Sequence, residues 1–302
     1  MELDTVYHSY RPLLLSIAYR MLGSVTYAED LVQDVFVTIQ QQSIHKEGSA
    51  VQNLKAYLCK IVTNRCLDYL KSARHQREVY VGPWLPEPLL HAYSDSSSAA
   101  AATAEDPLQT IVLEDSISYA FLVLLDRLTP IERAVFVLRE AFEYDYSDIA
   151  DFVNKTEQSC RKTYSRLKRK IQQESPVDLI PSKQSEQLVL SFLQATATGD
   201  MGRLLSLLSE DIVLYSDGGG KVYAAIKPII SVHRVLAFIQ GLASKDGGMG
   251  SVSLVTINGQ LGVILRTPSE PIPTVVSFAV KDDRIQEMYV IRNPDKLRHL
   301  NL

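Results

Sequence analysis

Cysteine is scarce in this sequence, and its spacing excludes two common kinds of structural site. The 302 residues contain three cysteines, Cys59, Cys66 and Cys160, and none of them forms a Cys-x-x-Cys pair. An odd count at these spacings argues against a disulfide framework and against a zinc site. The six histidines also lack metal-ligand spacing. We therefore predict no metal site, and we expect the cysteines to be reduced, partly buried thiols on helices.

Long apolar segments are missing as well. No apolar run approaches the roughly 20 residues that a helix needs to cross a bilayer. The first residues, Met1 to Asp4, have neither the basic nor the apolar region of a signal peptide. The sequence therefore predicts no contact with a membrane and a cytoplasmic location.

The chain also lacks the net positive charge typical of nucleic-acid-binding proteins, because its net charge is −4. The distribution of charge points the other way. Residues 55–77 hold six basic residues and one acid, and residues 155–170 hold seven basic residues and one acid. Residues 79–115 contain six acids and no Lys or Arg. Such segregated charge indicates nucleic-acid binding more strongly than the sum argues against it.

Apolar periodicity and turn residues divide the chain into domains. Helical spacing dominates residues 5–77 and 108–173, and the segment between these two regions contains Pro83, Pro86, Pro88 and a Ser/Ala tract. Beyond Lys183, helices are followed by strand-like runs, and Asn258-Gly259 predicts a hairpin turn. This order is typical of an α+β domain. The predicted segments are a helical domain at 1–78, a linker at 79–107, a helical domain at 108–175, a linker at 176–182 and an α+β domain at 183–302.

Within the last domain the pattern predicts eight elements. The predicted helices cover residues 186–198, 201–208 and 228–242. The predicted strands cover residues 212–215, 251–257, 261–266, 274–281 and 284–291.

The segment from Ser147 to Lys170 has the layout of a helix-turn-helix. Ser147 is predicted to cap the first helix, Asn154 to begin the turn, and Thr156 to cap the second helix. The alternative is an ordinary amphipathic helix with a solvated basic face, which explains the charge but not its coincidence with cap and turn. The polar face of the second helix would enter a major groove. The residues predicted to contact DNA there are Gln158, Ser159, Arg161, Lys162, Ser165, Arg166, Lys168 and Arg169.

Two N-terminal helices carry weaker signals. Residues 54–77 interleave aromatic and basic side chains, which suits single-stranded DNA, although Tyr57 and Tyr69 could equally be core residues. Asp30 and Asp34 are like charges four residues apart, which costs an isolated helix roughly 0.2–0.5 kcal/mol. A cationic partner surface would offset this cost, and a tolerated solvated face is the alternative.

Taken together, these motifs resemble the sigma-70 family of bacterial transcription initiation factors, in its extracytoplasmic-function type. Residues 28–37 resemble the helix that binds the polymerase clamp, residues 64–71 the helix that reads the −10 element, and residues 125–170 the domain that reads the −35 element. The resemblance implies core RNA polymerase and promoter DNA as partners. It implies polymerase contacts by Glu29, Asp30, Gln33 and Asp34. It implies −10 contacts by Tyr57, Lys60, Asn64, Arg65, Asp68, Lys71 and Arg74.

Three further motifs resemble signatures of sigma factors of this type that are fused to a SnoaL-like domain. The implied fold is multidomain, with two all-α helical domains and a C-terminal α+β SnoaL-like cone. The implied function is promoter-directed initiation with a built-in regulator, in which Trp84 anchors the linker and Lys221 pairs with Glu87. The implied regulatory residues are Trp84, Leu85, Pro86, Glu87, Pro88, Asp217, Gly218, Gly219, Gly220, Lys221, Asn293, Pro294, Asp295, Lys296 and Leu297.

Two other readings stay open at this point. An enzymatic C-terminal domain would need an acid or base such as Asp211, Asp217 or His233, but no partner constellation accompanies them, so we predict no catalytic residue and no cofactor. A small ligand in this domain is a further alternative. For the whole chain, the alternative is a DNA-binding regulator that does not engage polymerase, against which the acidic helix and the acidic linker argue.

Overall fold

The computed structural model describes residues 3–45, 53–77, 79–93, 118–174, 182–245, 250–267 and 271–300. The described residues form two compact units. The helical unit contains residues 3–77 and 124–174, and the sheet unit contains residues 79–93, 118–123 and 182–300. The predicted linker residues 94–107 and 176–181, and the predicted helical residues 108–117, lie outside the described residues.

Helices predicted from periodicity account for the helical unit. Their bounds are α1 Leu3–Leu22, α2 Val25–His45, α3 Leu54–Arg77, α4 Tyr119–Asp126, α5 Pro130–Glu140, α6 Tyr146–Val153 and α7 Glu157–Glu174. Helix α4 is shared between the two units. Its residues 119–123 belong to the sheet unit, and its residues 124–126 belong to the helical unit. Of the apolar positions predicted for α1, Leu14, Ile17 and Met21 are fully buried, whereas Leu13 is only partly buried.

A buried arginine ties α1 to α5 inside the helical unit. The Arg133 guanidinium is 3% exposed. Its Nη1 donates to the carbonyl oxygen of Met21 at 2.7 Å, and its Nη2 donates to Oδ1 of Asp126 at 2.8 Å. A buried charge is tolerated only with such partners. Arg133 therefore contributes both to the packing of α5 and to its contact with the N-terminal helices.

The helix-turn-helix is present, and one of its predicted caps is wrong. Helix α6 starts at Tyr146, and its N-cap is Asp145 instead of Ser147; the Asp145 carboxylate lies 3.8 Å from the Arg139 guanidinium and makes no capping hydrogen bond. The turn residue Asn154 has a φ of 52°, in the left-handed region that Asn tolerates. Thr156 caps the second helix as predicted, because its Oγ1 accepts from the Ser159 amide at 3.2 Å.

The sheet unit wraps helices around a twisted sheet. Its elements are β1 Leu90–Ala92, α8 Lys183–Thr198, α9 Met201–Leu207, β2 Leu208–Asp217, β3 Ile229–Ile230, α10 Val232–Lys245, β4 Ser251–Ile257, β5 Gln260–Arg266, β6 Thr274–Lys281, β7 Arg284–Ile291 and two 3-10 turns at Pro294–Lys296 and Arg298–Leu300. The strand order in the described part is β1-β4-β5-β6-β7-β2-β3. Neighbouring strands are antiparallel except β2 and β7, which are parallel.

Three differences from the predicted elements follow from pairing between strands. Strand β1 lies in the predicted linker, and strand β3 and the late start of α10 replace the first residues of the predicted helix 228–242. The pairing of Ile229 and Ile230 with Leu214 and Val213 keeps this segment extended, and helix α10 begins only after Ser231, whose φ is 92°. The predicted hairpin is confirmed, because Asn258 and Gly259 both have positive φ, 48° and 77°.

Both faces of the sheet are covered. Helices α8 and α10 pack on one face, where Phe192 and Val235 meet Val276 and Met288. On the other face Leu85, from the predicted linker, packs with a second group of buried side chains. This group includes Tyr119, Val255, Ala279, Tyr289 and Leu297. Alternation along β7 sends successive side chains to opposite faces, as a strand requires.

Neither a membrane-spanning helix nor a cluster of metal-ligating side chains occurs among the described residues. Within these ranges no helix is long and apolar enough to cross a membrane. The same residues contain no group of three or more His, Cys, Asp or Glu side chains arranged to hold a metal ion. All three cysteines are buried free thiols, as predicted, and burial raises the pKa of the Cys66 thiol.

Candidate functional site

A buried ion pair lies at the centre of the sheet unit's most polar site. Asp217 ends strand β2 and is fully buried, and Lys296, in the first 3-10 turn, is 6% exposed. Lys296 Nζ lies 2.6 Å from Asp217 Oδ2. Two charges removed from water are stable only if further hydrogen bonds satisfy their remaining donors and acceptors.

The linker supplies two of the partners of the Asp217 carboxylate. Oδ2 accepts from the backbone N–H of Leu85 at 2.8 Å, and Oδ1 accepts from the Tyr80 hydroxyl at 2.6 Å. The Gly219 amide donates to Oδ1 at 3.1 Å. Burial, followed by the Asp217 carboxylate, raises the pKa of the Tyr80 hydroxyl, so this group stays protonated and acts as a donor.

Lys296 holds the same stretch of linker from the other side. Its Nζ donates to the carbonyl oxygen of Leu85 and lies 4.1 Å from the centre of the Trp84 ring and 5.0 Å from that of Tyr80. A desolvated cation over an aromatic face contributes about 2 kcal/mol. The backbone of Leu85 thus bonds to both members of the ion pair. We call Asp217, Asn293 and Lys296, with the linker residues that they contact, the linker clamp.

Asn293 and two glycines complete the linker clamp. Asn293 Nδ2 donates to the Tyr80 hydroxyl at 2.8 Å, and its backbone N–H donates to the Asp217 carbonyl at 2.9 Å. A Cβ added to Gly219, whose φ is +59°, would lie 2.2 Å from Asn293 Nδ2, and one added to Gly218 would lie 2.5 Å from the Val222 carbonyl oxygen. The glycines are therefore needed for the close approach of the two C-terminal motifs.

Beyond the clamp, the linker continues along the sheet. The carbonyl of Pro86 accepts from the Tyr119 hydroxyl at 2.7 Å, and that of Pro88 lies 2.8 Å from His299 Nε2. Leu89 and Asn258 exchange two hydrogen bonds, at 2.9 and 3.1 Å. Residues Leu90–Ala92 then pair with Val255–Ile257 as an antiparallel edge strand. Residues 79–93 are thus an integral part of the sheet unit.

Two details of the predicted docking are wrong. The Lys221 ammonium pairs with Asp295 and not with Glu87. Glu87 is 6% exposed and its carboxylate lies 3.9 Å from His299 Nδ1, whereas the Lys221 side chain is half exposed. Leu85, at 1% exposure, is the fully buried anchor of the motif, and Trp84 is only partly buried beneath Lys296.

The structure adds residues that sequence reasoning missed. Tyr80, Tyr119 and His299 all bond to the linker or to the clamp. Asn258, which was interpreted only as a turn residue, also holds the backbone of Leu89. None of the four stands out by composition. Their roles depend on contacts between segments far apart in the sequence.

The predicted DNA-contacting face of α7 points to solvent. Of its eight residues, seven are exposed and Lys168 is half buried, whereas Cys160 and Leu167 are buried on the opposite face. Several of these cations have acidic neighbours: Arg161 pairs with Glu157, and Arg166 lies 2.6 Å from Glu132. Exposed pairs of this kind contribute about 0–1 kcal/mol, so a phosphate can replace the carboxylate at little cost.

The predicted −10 residues on α3 are partly engaged inside the helical unit. Lys60 Nζ lies 2.7 Å from Asp151 Oδ1 of helix α6, and Arg65 donates to Thr38 Oγ1 at 2.8 Å. Lys71 pairs with Asp68 at 2.9 Å. Tyr57 and Asn64 are half buried, and the side chain of Arg74 lies outside the described residues. The structure therefore brings Lys60 to the helix-turn-helix.

The predicted polymerase-binding residues lie together on α2. Asp30, Gln33 and Asp34 are exposed, and Glu29 is half buried with its carboxylate 3.6 Å from Arg11. Asp34 lies 4.0 Å from the Arg65 guanidinium. A cation within the helical unit therefore already offsets part of the repulsion between Asp30 and Asp34.

The acid/base candidates of the enzymatic alternative do not converge. The sheet unit has a cavity of about 440 Å³, and none of Asp211, Asp217 and His233 is among the described residues that line it. Asp211 and His233 are exposed. Hydrogen bonds from Ser209 and then Gln286 lower the pKa of Asp211, which weakens it as a base. Asp217 is committed to the linker clamp.

Comparison with known proteins gives consistent matches. Residues 6–76 match sigma-70 region 2, and residues 118–171 match sigma-70 region 4. The chain is 30% identical to the ECF RNA polymerase sigma factor SigJ of Mycobacterium tuberculosis, over 96% of this chain and 91% of that relative. It is 29% identical to the probable ECF RNA polymerase sigma factor SigI of the same species, over 69% of this chain and 68% of that relative.

Solved structures agree with these matches. The crystal structure of the Mycobacterium tuberculosis extracytoplasmic function sigma factor SigJ has 27% sequence identity and a TM-score of 0.76, and the match covers 98% of each chain. The fold is multidomain, with helical sigma domains followed by a C-terminal sheet-containing domain.

The linker clamp predicts a charge-specific change in protease sensitivity. Lys296→Met leaves the Asp217 carboxylate buried without its cation, and breaking a buried pair in this way costs roughly 3–5 kcal/mol. We expect chymotrypsin to cleave after Tyr80 and Trp84 faster than in the parent. The double variant Asp217→Asn/Lys296→Met removes both charges and should recover part of the protection.

The matched control is Lys221→Met, which removes a half-exposed ion pair worth about 0–1 kcal/mol. It should be cleaved like the parent in limited proteolysis followed by mass spectrometry. A Lys296→Met variant cleaved no faster than Lys221→Met would show that the buried pair does not hold the linker.

Proposed function

Because the chain belongs to the extracytoplasmic-function group of sigma-70 family sigma factors, we propose that its sheet unit regulates transcription initiation by holding the linker in the clamp. Sigma factors bind core RNA polymerase and promoter DNA. The observation that carries the proposal is the Asp217–Lys296 pair, which bonds to both backbone groups of Leu85. Covalent attachment keeps clamp and linker at roughly millimolar effective concentration, so even a modest interface stays occupied.

The regulatory effect follows from what the linker connects. We propose the division 1–78, 108–175 and 183–302, with linkers at 79–107 and 176–182, so that the first linker joins region 2 to region 4. Residues 79–93 and 118–123 are both packed on the sheet unit, and Tyr119 bonds to Pro86. Fixing both ends limits the distance that the two promoter-binding regions can span.

Promoter binding requires a long span. The −10 and −35 elements are separated by about 25 base pairs, or ~85 Å at roughly 3.4 Å per base pair. In the helical unit the proposed −10 residue Lys60 instead pairs with Asp151 of the helix-turn-helix. The two regions must therefore separate before both elements are read, and the clamp opposes this separation.

We expect release of the clamp to raise transcription output. In run-off transcription with core polymerase, Lys296→Met should give severalfold more product than the parent, because the loosened linker restricts the span less, and Asp217→Asn/Lys296→Met should lie between the two. Lys221→Met is the control and should match the parent. Equal output from the parent, Lys296→Met and Lys221→Met, with Lys296→Met folded by circular dichroism, would rule out regulation by the clamp.

We propose that helix α7 reads the −35 element through Gln158, Ser159, Arg161, Lys162, Ser165, Arg166, Lys168 and Arg169. Their exposure and the N-terminal position of the first four support this assignment, because N-terminal residues of a recognition helix reach base edges. We propose that Tyr57, Lys60, Asn64, Arg65, Asp68, Lys71 and Arg74 contact the −10 element. Both assignments explain why basic residues are concentrated in residues 55–77 and 155–170, because these segments would contact DNA.

Alanine at Arg161 or Lys162 should separate base from phosphate contacts. A base contact costs about 1–3 kcal/mol when it is lost and relaxes specificity at one position, whereas a lost phosphate contact weakens all sites alike and lowers the salt slope. Fluorescence anisotropy with promoter and scrambled duplexes at two salt concentrations measures both. Arg203→Ala, an exposed arginine in the sheet unit, is the control. Parent-like binding by both α7 variants would contradict the assignment.

We propose that Glu29, Asp30, Gln33 and Asp34 bind core polymerase. Asp30→Lys is the sharpest test, because Asp34 lies beside Arg65 and its reversal would also disturb the helical unit. We expect at least tenfold weaker binding to core polymerase in a pull-down titration, while Asp4→Lys on α1, with its side chain 85% exposed, stays at parental affinity.

If Asp30→Lys and the parent bind core polymerase with equal affinity, the polymerase contact does not involve Asp30. Failure of the parent itself to bind core polymerase would favour the second candidate, a DNA-binding regulator that acts without it. We further propose that the sheet unit acts without catalysis, since its acid/base candidates lie away from the cavity, and that the protein works in the cytoplasm with polymerase.

A further inference from the structure

The sheet unit contains a cavity that the linker clamp does not use. Its volume is about 440 Å³, within the range of roughly 300–1,000 Å³ typical of small-molecule sites. Side chains of α8, α10 and five strands line it, among them Leu193, Phe238, Val276 and Met288. It lies on the helix-covered face of the sheet, whereas the clamp contacts the other face.

The opening of the cavity is apolar. Leu190 and Leu242 on the helices and Val252 and Leu254 on β4 line it and remain 37–42% exposed. A molecule that fills the cavity would remove this apolar surface from water, which favours binding. Because the surface leads into a concave cavity of this volume, a small molecule fits it better than a flat protein surface does.

One end of the cavity is charged. Arg292 is the one charged side chain among the described residues that line it. Alternation along β7 places Arg292 on the same face as Met288 and Val290, and Thr274 of β6 neighbours it, since each is one residue beyond the Val275–Ile291 pair. A guanidinium presents a planar fork of N–H donors that matches a carboxylate.

Arg292 also contacts the loop that carries the clamp. Its Nη1 donates to the Tyr223 carbonyl oxygen at 2.6 Å, and its backbone N–H donates to the Asp217 carbonyl at 2.8 Å. The next residue, Asn293, belongs to the linker clamp. A ligand that binds the Arg292 guanidinium therefore contacts the residue next to Asn293 of the clamp.

We propose that this cavity binds a small amphipathic carboxylate, with its apolar body between the helices and the sheet and its carboxylate at Arg292, and that binding alters the linker clamp. The binding step is independent of the regulatory function proposed above. The effect on the clamp rests on that function.

The binding step is tested by calorimetry on the full chain with two probes of equal chain length, decanoate and decanol. We expect decanoate to bind at least tenfold more tightly than decanol, because only decanoate pairs with Arg292. Arg292→Met should remove this difference and leave decanol affinity unchanged, while Arg234→Met, on the exposed face of α10, should behave like the parent. Ile239→Phe, which fills the cavity, should weaken both probes.

Two results would overturn the site: equal affinity of the parent for both probes, or a preference for decanoate that survives in Arg292→Met. If Arg292→Met binds neither decanoate nor decanol, the Arg292→Lys variant serves as the test, because it keeps a positive charge at this position. A remaining preference for decanoate in Arg292→Lys supports the site, and loss of that preference overturns it.

The effect on the clamp is read from Trp84, the single tryptophan of the chain. Decanoate should shift its emission in the parent but not in Arg292→Met, and decanol should cause no shift. Decanoate that binds without shifting the emission would overturn the link to the clamp. Binding of decanoate by Asp217→Asn/Lys296→Met is expected to persist, so a failure of the regulatory function leaves the binding result intact.

Discussion

The sheet unit depends on a buried ion pair that draws several of its hydrogen-bond partners from the linker. Asp217 and Lys296 are both removed from water, and the desolvation of two charges costs several kcal/mol per ion before their attraction is counted. The partners that offset this cost include the N–H and C=O of Leu85, the Tyr80 hydroxyl and the Trp84 ring. Without residues 79–93 both charges would lose these partners. Residues 79–93 are therefore part of the sheet unit's structure, and they do more than bind to its surface.

This constraint gives the three sequence motifs one physical explanation. The first motif supplies an aromatic face and a peptide group, the second a carboxylate on a glycine loop, and the third a lysine and a capping asparagine. The glycines are needed because Asn293 and the Val222 carbonyl approach them too closely for any side chain. Proline suits the first motif because it has no N–H to satisfy in a buried segment, while the carbonyls of Pro86 and Pro88 accept from Tyr119 and His299.

Local signals were predictable from the sequence, and contacts between distant segments were not. The helices of the helical unit, the Thr156 cap and the Asn258-Gly259 turn follow from periodicity and turn chemistry, which act over a few residues. Strand β1 has three residues, too few to show a period, and it is a strand only because Val255–Ile257 pair with it. The expected Lys221–Glu87 pair was wrong because charge alone does not reveal burial. Glu87 is buried beside His299, and Asp295 is the acid that lies within reach of Lys221.

Burial also determines how easily a charged side chain can exchange one partner for another. The Lys60–Asp151 pair is 36% and 63% exposed, so water or a phosphate can replace either partner at a cost of about 0–1 kcal/mol. Arg133 is buried, but its ionic partner is Asp126 and not a residue of α1. Separation of α1 from α5 would therefore leave this ion pair intact. The bond of Arg133 to Asp126 does not involve α1, whereas its hydrogen bond to the Met21 carbonyl does. The Asp217–Lys296 pair differs, because both side chains are almost fully buried and the linker supplies several of their partners. The exposed pairs of the helical unit can therefore exchange partners at little cost, whereas release of the linker would break several buried interactions together.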